Sequence, residues 1–191
     1  MPQFRHSLRL LLFGLALAIS LKADIVLTFD DLSEGDVVSN QFASLGVAIG
    51  GNPVVLTAMS WLNEIDFPPH SGVNVLSDLD GPISFTFLTG ATSVSGFLTY
   101  GTQITIDVFD RGGNLLTTAF SAGSSNIGSN EFFSFAGDIG SISIAGAPSG
   151  NGPSFTLDDL SFNAVPEPTA ILLIFPIAAC VLFGWHKRSW R

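Results

Sequence analysis

Cysteine is nearly absent. The single residue, Cys180, lies inside an apolar run close to the C-terminal end, so no disulfide can staple the preceding chain. Basic residues are nearly absent too. Between residues 24 and 165 Arg111 is the only Lys or Arg, against fifteen Asp and Glu, a balance of −14. A field of that sign repels phosphate backbones, which bind proteins through Lys and Arg, so no nucleic-acid partner is expected and anionic lipid is a poor one. Divalent cations and neutral polymers are compatible with it. The motifs of common catalysts are missing as well: there is no Gly-x-Ser-x-Gly elbow, no His-Glu-x-x-His and no phosphate-cradling Gly loop. His70 and Ser71 are adjacent, but sequence neighbours rarely face one another as base and nucleophile. The expectation is a protein that is not an enzyme. A small carboxylate-dependent hydrolase is the alternative that the many acids leave open.

Helical periodicity and internal repeats are also lacking before residue 169. In their place stand short apolar runs broken by Gly, Pro, Asn and Asp at intervals of roughly 8–12 residues, the signature of an all-β sandwich or barrel. They are IVLTF (25–29), VAI (47–49), VVLTAM (54–59), VNVL (73–76), ISFTFL (83–88), VSGFLTY (94–100), ITIDVFD (104–110), LLTTAF (115–120), FFSF (132–135), SISIAG (141–146) and SFTLDDLSF (154–162). In two of them the alternation is clean. Ile83, Phe85 and Phe87 point one way with Ser84 and Thr86 opposite, and Ile104, Ile106 and Val108 repeat this with Thr105 and Asp107 opposite. DRGGN (110–114) between two runs reads as a hairpin turn, with Gly112 and Gly113 available for positive φ. About 140 residues of this composition can bury an adequate core.

The two ends differ from the middle. Arg5 and Arg9 precede an apolar stretch over residues 10–19, and Leu21-Lys22-Ala23 offers a cleavage site after Ala23, with Ser20 as a fallback. That order is a secretory signal peptide over residues 1–23, too short to anchor, with Asp24 as the mature start. The sandwich is expected over 24–165. Pro166 and Pro168 cannot continue a central strand. Residues 170–185 carry no charge; as a helix they extend about 24 Å, enough to cross a bilayer with Trp185 and the following basic side chains at the interface. His186, Lys187, Arg188 and Arg191 hold that end in the cytoplasm by the positive-inside rule, which places 24–165 across the membrane. A permanent single-span anchor is one reading of this tail.

Val165-Pro166-Glu167-Pro168, followed at once by a short apolar segment and the basic residues Lys187, Arg188 and Arg191, resembles the PEP-CTERM sorting signal of Gram-negative bacteria that make exopolysaccharide. The resemblance implies an exosortase-like membrane peptidase as partner, transient residence of the C-terminal helix in the inner membrane, removal of that helix, and delivery to the cell surface or an exopolysaccharide matrix. LTFDDL, QFASLGVAIGG, PHSGVNVL, VSGFLTY and FTLDDLSF, in that order, are also similar to the antiparallel β-sandwich found upstream of such tails, a jelly roll of the galactose-binding-like kind. On that fold first and last strands lie close together. Phe29-Asp30-Asp31-Leu32 and Leu157-Asp158-Asp159-Leu160 would then meet. Like charges placed opposite are destabilising, so Asp30, Asp31, Asp158 and Asp159 either splay into solvent or share a Ca²⁺ ion, with Glu34 and Asp36 able to add oxygens. SDLDGP (77–82) fails as an EF-hand, because Pro82 and Thr89 replace ligands, and reads as a turn.

The loop SWLNEIDFPPHSGVN (60–74) holds the only Trp and only His of residues 24–165. Carbohydrate sites pair an aromatic platform with side chains that bond hydroxyls. Trp61, His70 and Asn74 would serve, with Tyr100 as a further amphipathic aromatic. The competing reading, favoured by the Phe-rich composition, is that Trp61 is a lid over one end of the core and His70 sits in a Pro-rich turn.

Overall fold

The computed structural model describes residues 24–79, 81–147 and 154–165. The expected signal peptide (1–23), Pro166, Glu167, Pro168, the apolar run and the basic tail lie outside the described residues. Among those described, no helix is long and apolar enough to cross a membrane.

The described chain is an all-β antiparallel sandwich of nine strands: β1 (Ile25–Leu27), β2 (Val47–Gly50), β3 (Val54–Thr57), β4 (Asn74–Ser77), β5 (Ile83–Tyr100), β6 (Ile104–Phe109), β7 (Leu115–Phe120), β8 (Glu131–Gly146) and β9 (Phe155–Ala164), with one 3₁₀ turn at Ala43–Leu45. Two long strands are shared by both layers. The first part of β5 pairs with β2 and with the last third of β8. Its second part, from Ala91, lies between β9 and the first half of β8. One layer is therefore β3-β4-β9-β5-β8, with β1 also on β9, and the other is β2-β5-β8-β6-β7.

The strand changes layer where the register slips between Thr86 and Ala91. Gly90 there has φ +78°, a left-handed conformation that side chains resist. On β8 the bend passes Gly140, where an added Cβ would stand 2.4 Å from the Asp110 carbonyl oxygen, so only glycine lets the two backbones approach. Hence ISFTFL and VSGFLTY, read as two strands, are one, and so are FFSF and SISIAG. The polar, Gly-containing breaks between them are bends inside a continuous strand rather than loops.

The core sits between the layers. Ile83, Phe85 and Phe87 of β5, Ile104, Ile106 and Val108 of β6, and Ile142 and Ile144 of β8 face Val94, Leu98, Tyr100, Phe155, Leu157, Leu160 and Phe162. The alternation expected for 83–87 and 104–108 is observed, with Ser84, Thr86, Thr105 and Asp107 on the outer faces. Each fully buried Ile, Leu or Phe contributes about 1.5–3 kcal/mol. The β6–β7 turn is as expected: Gly113 takes φ +80°, and the Asp110 carboxylate accepts the N–H groups of Gly112 and Asn114, each at 2.8 Å. Asp78, read as a turn residue, is instead buried at the end of β4. It accepts the N–H groups of Ser154 (2.8 Å) and Phe155 (3.0 Å) and the Ser154 hydroxyl (2.6 Å), fixing the start of β9.

Candidate functional site

β1 pairs antiparallel with β9, Leu27 opposite Leu160, so the two Asp-Asp sequences do lie near one another. They meet through a third element. The loop between β3 and β4, with the first residue of β4, brings His70, Ser71, Val73 and Asn74 onto these carboxylates. Asp30 Oδ1 accepts the N–H groups of Val73 (2.9 Å) and Asn74 (3.0 Å). Asp158 Oδ2 accepts those of His70 (2.8 Å) and Ser71 (2.9 Å), while its Oδ1 accepts the N–H of Asp159 (2.7 Å). Asp159 takes the side chains: His70 Nδ1 at 2.6 Å and Ser71 Oγ at 2.7 Å. Asp31 is exposed.

Local geometry permits this. Asp159 has φ 48° and Phe29 φ 64°. A left-handed residue in each arm turns the carboxylates off the strand line, and Asp tolerates that region better than most residues. Pro68 and Pro69 leave the loop without two N–H donors just before the clamped segment. A stack of the His70 ring on Phe97, with centroids 3.4 Å apart and planes 9° apart, closes the arrangement on the β5 side.

Two carboxylates, Asp30 and Asp158, thus clamp the loop backbone, and a third, Asp159, holds its side chains. Among the described residues no group of three or more His, Cys, Asp or Glu is arranged to hold a metal ion. Of the four acids expected to share a Ca²⁺ ion, Asp30 and Asp158 here accept backbone N–H bonds, for whose oxygens an ion would compete. Glu34, considered as a further oxygen donor, is engaged elsewhere: it accepts the Ser60 hydroxyl (2.6 Å) and the Trp61 N–H (2.8 Å). The Ser60 bond is the largest cause that holds its carboxyl below the ordinary range. Asp36 accepts the Ser33 N–H at 2.9 Å.

Asp158 is 2% exposed, and burial pushes its pKa up to about 6; the N–H bond from Ser71 opposes the shift and the charge of Asp159 adds to it. Because the folded value lies above the unfolded value near 3.9, the folded state binds the proton more tightly. Stability from this group is full below about pH 4 and lost as pH rises through 6. The protein is expected to melt at a higher temperature at pH 5 than at pH 7, and Asp158→Asn should flatten that difference. Thermal melts of both proteins at both pH values check this, and a parallel pH dependence in the variant would refute the assignment to Asp158.

The other end of the loop carries Trp61. Leu62 is buried and roots the segment, and the Met59 N–H donates to the Glu64 carboxylate. Trp61 itself is 70% exposed, which overturns the reading of this residue as a lid over the core. Its ring approaches Gly35, whose absent Cβ would sit 3.4 Å from it, so the backbone at Gly35 supports the ring edge without covering it. Met59 and Ile65 are exposed on the same loop, and the Asn63 amide bonds the Asp66 carboxylate at 2.7 Å.

The remaining expected ligand residues part company. His70 is partly exposed, with Nδ1 committed to Asp159. Asn74 is buried, and its side chain accepts the Thr57 hydroxyl and donates to the carbonyls of Phe29 and Leu32, so it is a structural residue. Tyr100 is 1% exposed with its hydroxyl on Glu131, and is not a platform. The clamp itself was not foreseen. Its only sequence signal was the Asp-Asp near-copy at both ends, which gave no hint of the loop between.

No protein-family model matches the sequence, and no curated protein matches it. Among solved structures, the chain resembles the K2 cleaved adhesin domain of Lys-gingipain (14% identity, 74% of this chain and 99% of that chain, TM-score 0.48). It also resembles TmCBM61 solved with β-1,4-galactotriose (16% identity, 70% and 100% covered, TM-score 0.41). A third is CsCBM6-3 from Clostridium stercorarium solved with cellobiose (17% identity, 75% and 95% covered, TM-score 0.39). No residue role passes from them to this chain.

Proposed function

We propose that this protein is an exported, non-enzymatic β-sandwich of the jelly-roll, galactose-binding-like kind that binds a neutral polysaccharide through Trp61. The observation that carries the reading is the exposed indole on a loop fixed at both ends, by Glu34 at Ser60 and Trp61 and by Asp30, Asp158 and Asp159 at residues 70–74. An open aromatic face stacks on a pyranose ring, and Asn63 and Asp66 supply donors and acceptors for hydroxyls on the same loop. The −14 balance of residues 24–165 disfavours polyanionic glycans. His70 and Ser71 both bond Asp159 rather than one another, so His70 does not stand as base to the Ser71 hydroxyl. In the chain trimmed of its tail Trp61 is the only tryptophan. Its emission is expected to start near that of indole in water and to shift blue, saturably, as neutral polysaccharide is added. Retention of polysaccharide with no change in emission would defeat this reading.

The tail supports a route to the surface. Pro166, Glu167 and Pro168, the uncharged run and the basic end stand in the order of a sorting signal recognised by an exosortase-like peptidase. Intact-mass measurement of surface material should give a chain beginning at Asp24 and ending between Pro166 and Thr169. Mature protein that retains residues 170–191 would favour the permanent anchor.

A further inference from the structure

Charge is divided unequally between the two ends of the sandwich. Arg111, the only Lys or Arg of residues 24–165, pairs with Asp138 at 2.7 Å. It lies against Gly90, whose carbonyl accepts the Val165 N–H just past the end of β9. The loop that carries Trp61 reaches the opposite end. There the Asp66 carbonyl accepts the Gly128 N–H, and the Phe67 ring approaches Gly101, whose own N–H donates to Ser154 just before β9 begins.

Trp61 stands between two acidic segments. Its six-membered ring meets the backbone at Gly35, in the sequence Glu34-Gly35-Asp36. On its own loop Glu64 accepts the Met59 N–H and closes the turn on which the indole is mounted. The hydrogen bonds that these carboxylates accept come from neutral groups: the Ser60 hydroxyl and Trp61 N–H on Glu34, the Ser33 N–H on Asp36 and the Met59 N–H on Glu64. Bonds of that kind favour the charged form of a carboxyl. Among the described residues the ion pairs are Arg111 with Asp138 and His70 with Asp159, so the charge around Trp61 is uncompensated there. Nor, among those residues, do these acids form a group able to hold a metal ion, which needs oxygens converging on one point. They flank an open aromatic face instead.

We propose that the Trp61 platform selects polysaccharides in which some sugars carry a free, protonated amine, the indole taking the sugar ring and Glu34, Asp36 and Glu64 the ammonium. The proposal rests on the reading of Trp61 as a glycan site and sharpens its ligand class. A pyranose stacks through its apolar C–H face whatever its substituents. An ammonium in place of one hydroxyl adds attraction to the ring quadrupole, for which Trp is the strongest partner, and to the unpaired carboxylates. Acetylation of that amine removes the charge and the gain. A basic peptide shares the charge but lacks a rigid apolar ring with the cation on its rim.

Three β-1,4-linked hexasaccharides that differ only at carbon 2 test this: those of glucose, N-acetylglucosamine and glucosamine. They are titrated calorimetrically into the full chain at about pH 6, where carboxylates are ionised and amines protonated. The glucosamine hexamer should bind about tenfold tighter than the other two at low salt, the sum of a surface cation–π contact and exposed charge pairs. Salt at about 0.5 M should erase that advantage and leave the uncharged hexamers unaffected. Asp36→Asn combined with Glu64→Gln keeps an oxygen for each accepted N–H. It should cut the advantage at least fivefold with the glucose hexamer unchanged. Trp61→Ala should abolish binding of all three. Equal affinity for the three hexamers would overturn the selection while leaving the platform in place. Glucosamine binding that survives Trp61→Ala would overturn it, as attraction to net charge alone. Hexalysine held as tightly as the glucosamine hexamer, and lost with Trp61, would overturn it in favour of a basic peptide. Failure of all three hexamers to bind, with polysaccharide retention unchanged in Trp61→Ala, would remove the platform and the selection together.

Discussion

Asp158→Ala is expected to destabilise the folded protein by about 3 kcal/mol at neutral pH. The change strips three backbone N–H groups, those of His70, Ser71 and Asp159, of their acceptor. Leaving a buried donor unpaired costs about 1–3 kcal/mol. Against that loss stands relief, since a carboxyl raised from 3.8 to about 6 is a buried charge whose removal returns about 1.4 kcal/mol per unit. Three orphaned donors outweigh that relief. Asp159→Ala removes only side-chain partners of His70 and Ser71 at a half-buried position, so about 1 kcal/mol is expected from it. Urea unfolding of the two variants gives the comparison. Equal losses would mean that the loop is held by its side chains and not by its backbone.

Trp61→Ala is expected to act in the opposite sense, with binding lost and stability kept. An aromatic side chain emptied from a core costs about 3–5 kcal/mol, but Trp61 is mostly solvated and its loss should move the unfolding free energy by about 0.5 kcal/mol. Polysaccharide retention should fall at least tenfold, because a single Trp platform is the kind of residue on which binding energy concentrates. Affinity electrophoresis in gels containing polysaccharide, run beside thermal melts, reads both quantities. A variant that melts far lower yet migrates with unaltered retardation would sink the glycan site.

These two residues show where sequence reasoning reached and where it stopped. Strand content was readable because alternation in 83–87 and 104–108 needs only the pleat, and LLTTAF coincides with β7. Continuity was not readable. Gly90 and Gly137 look like loop glycines until pairing partners on both sides show that the strand passes through them. The closeness of the two Asp-Asp sequences followed from the resemblance to a jelly roll, yet their partner did not. A carboxylate that meets backbone N–H groups some 88 residues away leaves no residue-type signal. Asn74 illustrates the same blindness: its amide serves Phe29 and Leu32 carbonyls, which every sequence possesses. Trp61 was ambiguous for a different reason, since composition favours burial and only the support at Gly35 and Glu34 settles its exposure.

The antiparallel pairing of β1 with β9, Ile25 opposite Phe162, also fixes how the fold responds to tension. Residues 24 and 165 leave the same end of one strand pair. Pulling them apart peels the ladder open one rung after another, whereas strands whose ends leave on opposite sides must break all rungs together. Such a ladder yields at low force, and Asp30 and Asp158 lie immediately beyond its far end. Peeling three residues of β1 would therefore draw Asp30 from Val73 and Asn74 and loosen the loop that presents Trp61. A sandwich held at one end only would feel no such strain, and one stretched between two tethers would release its grip before its core gave way.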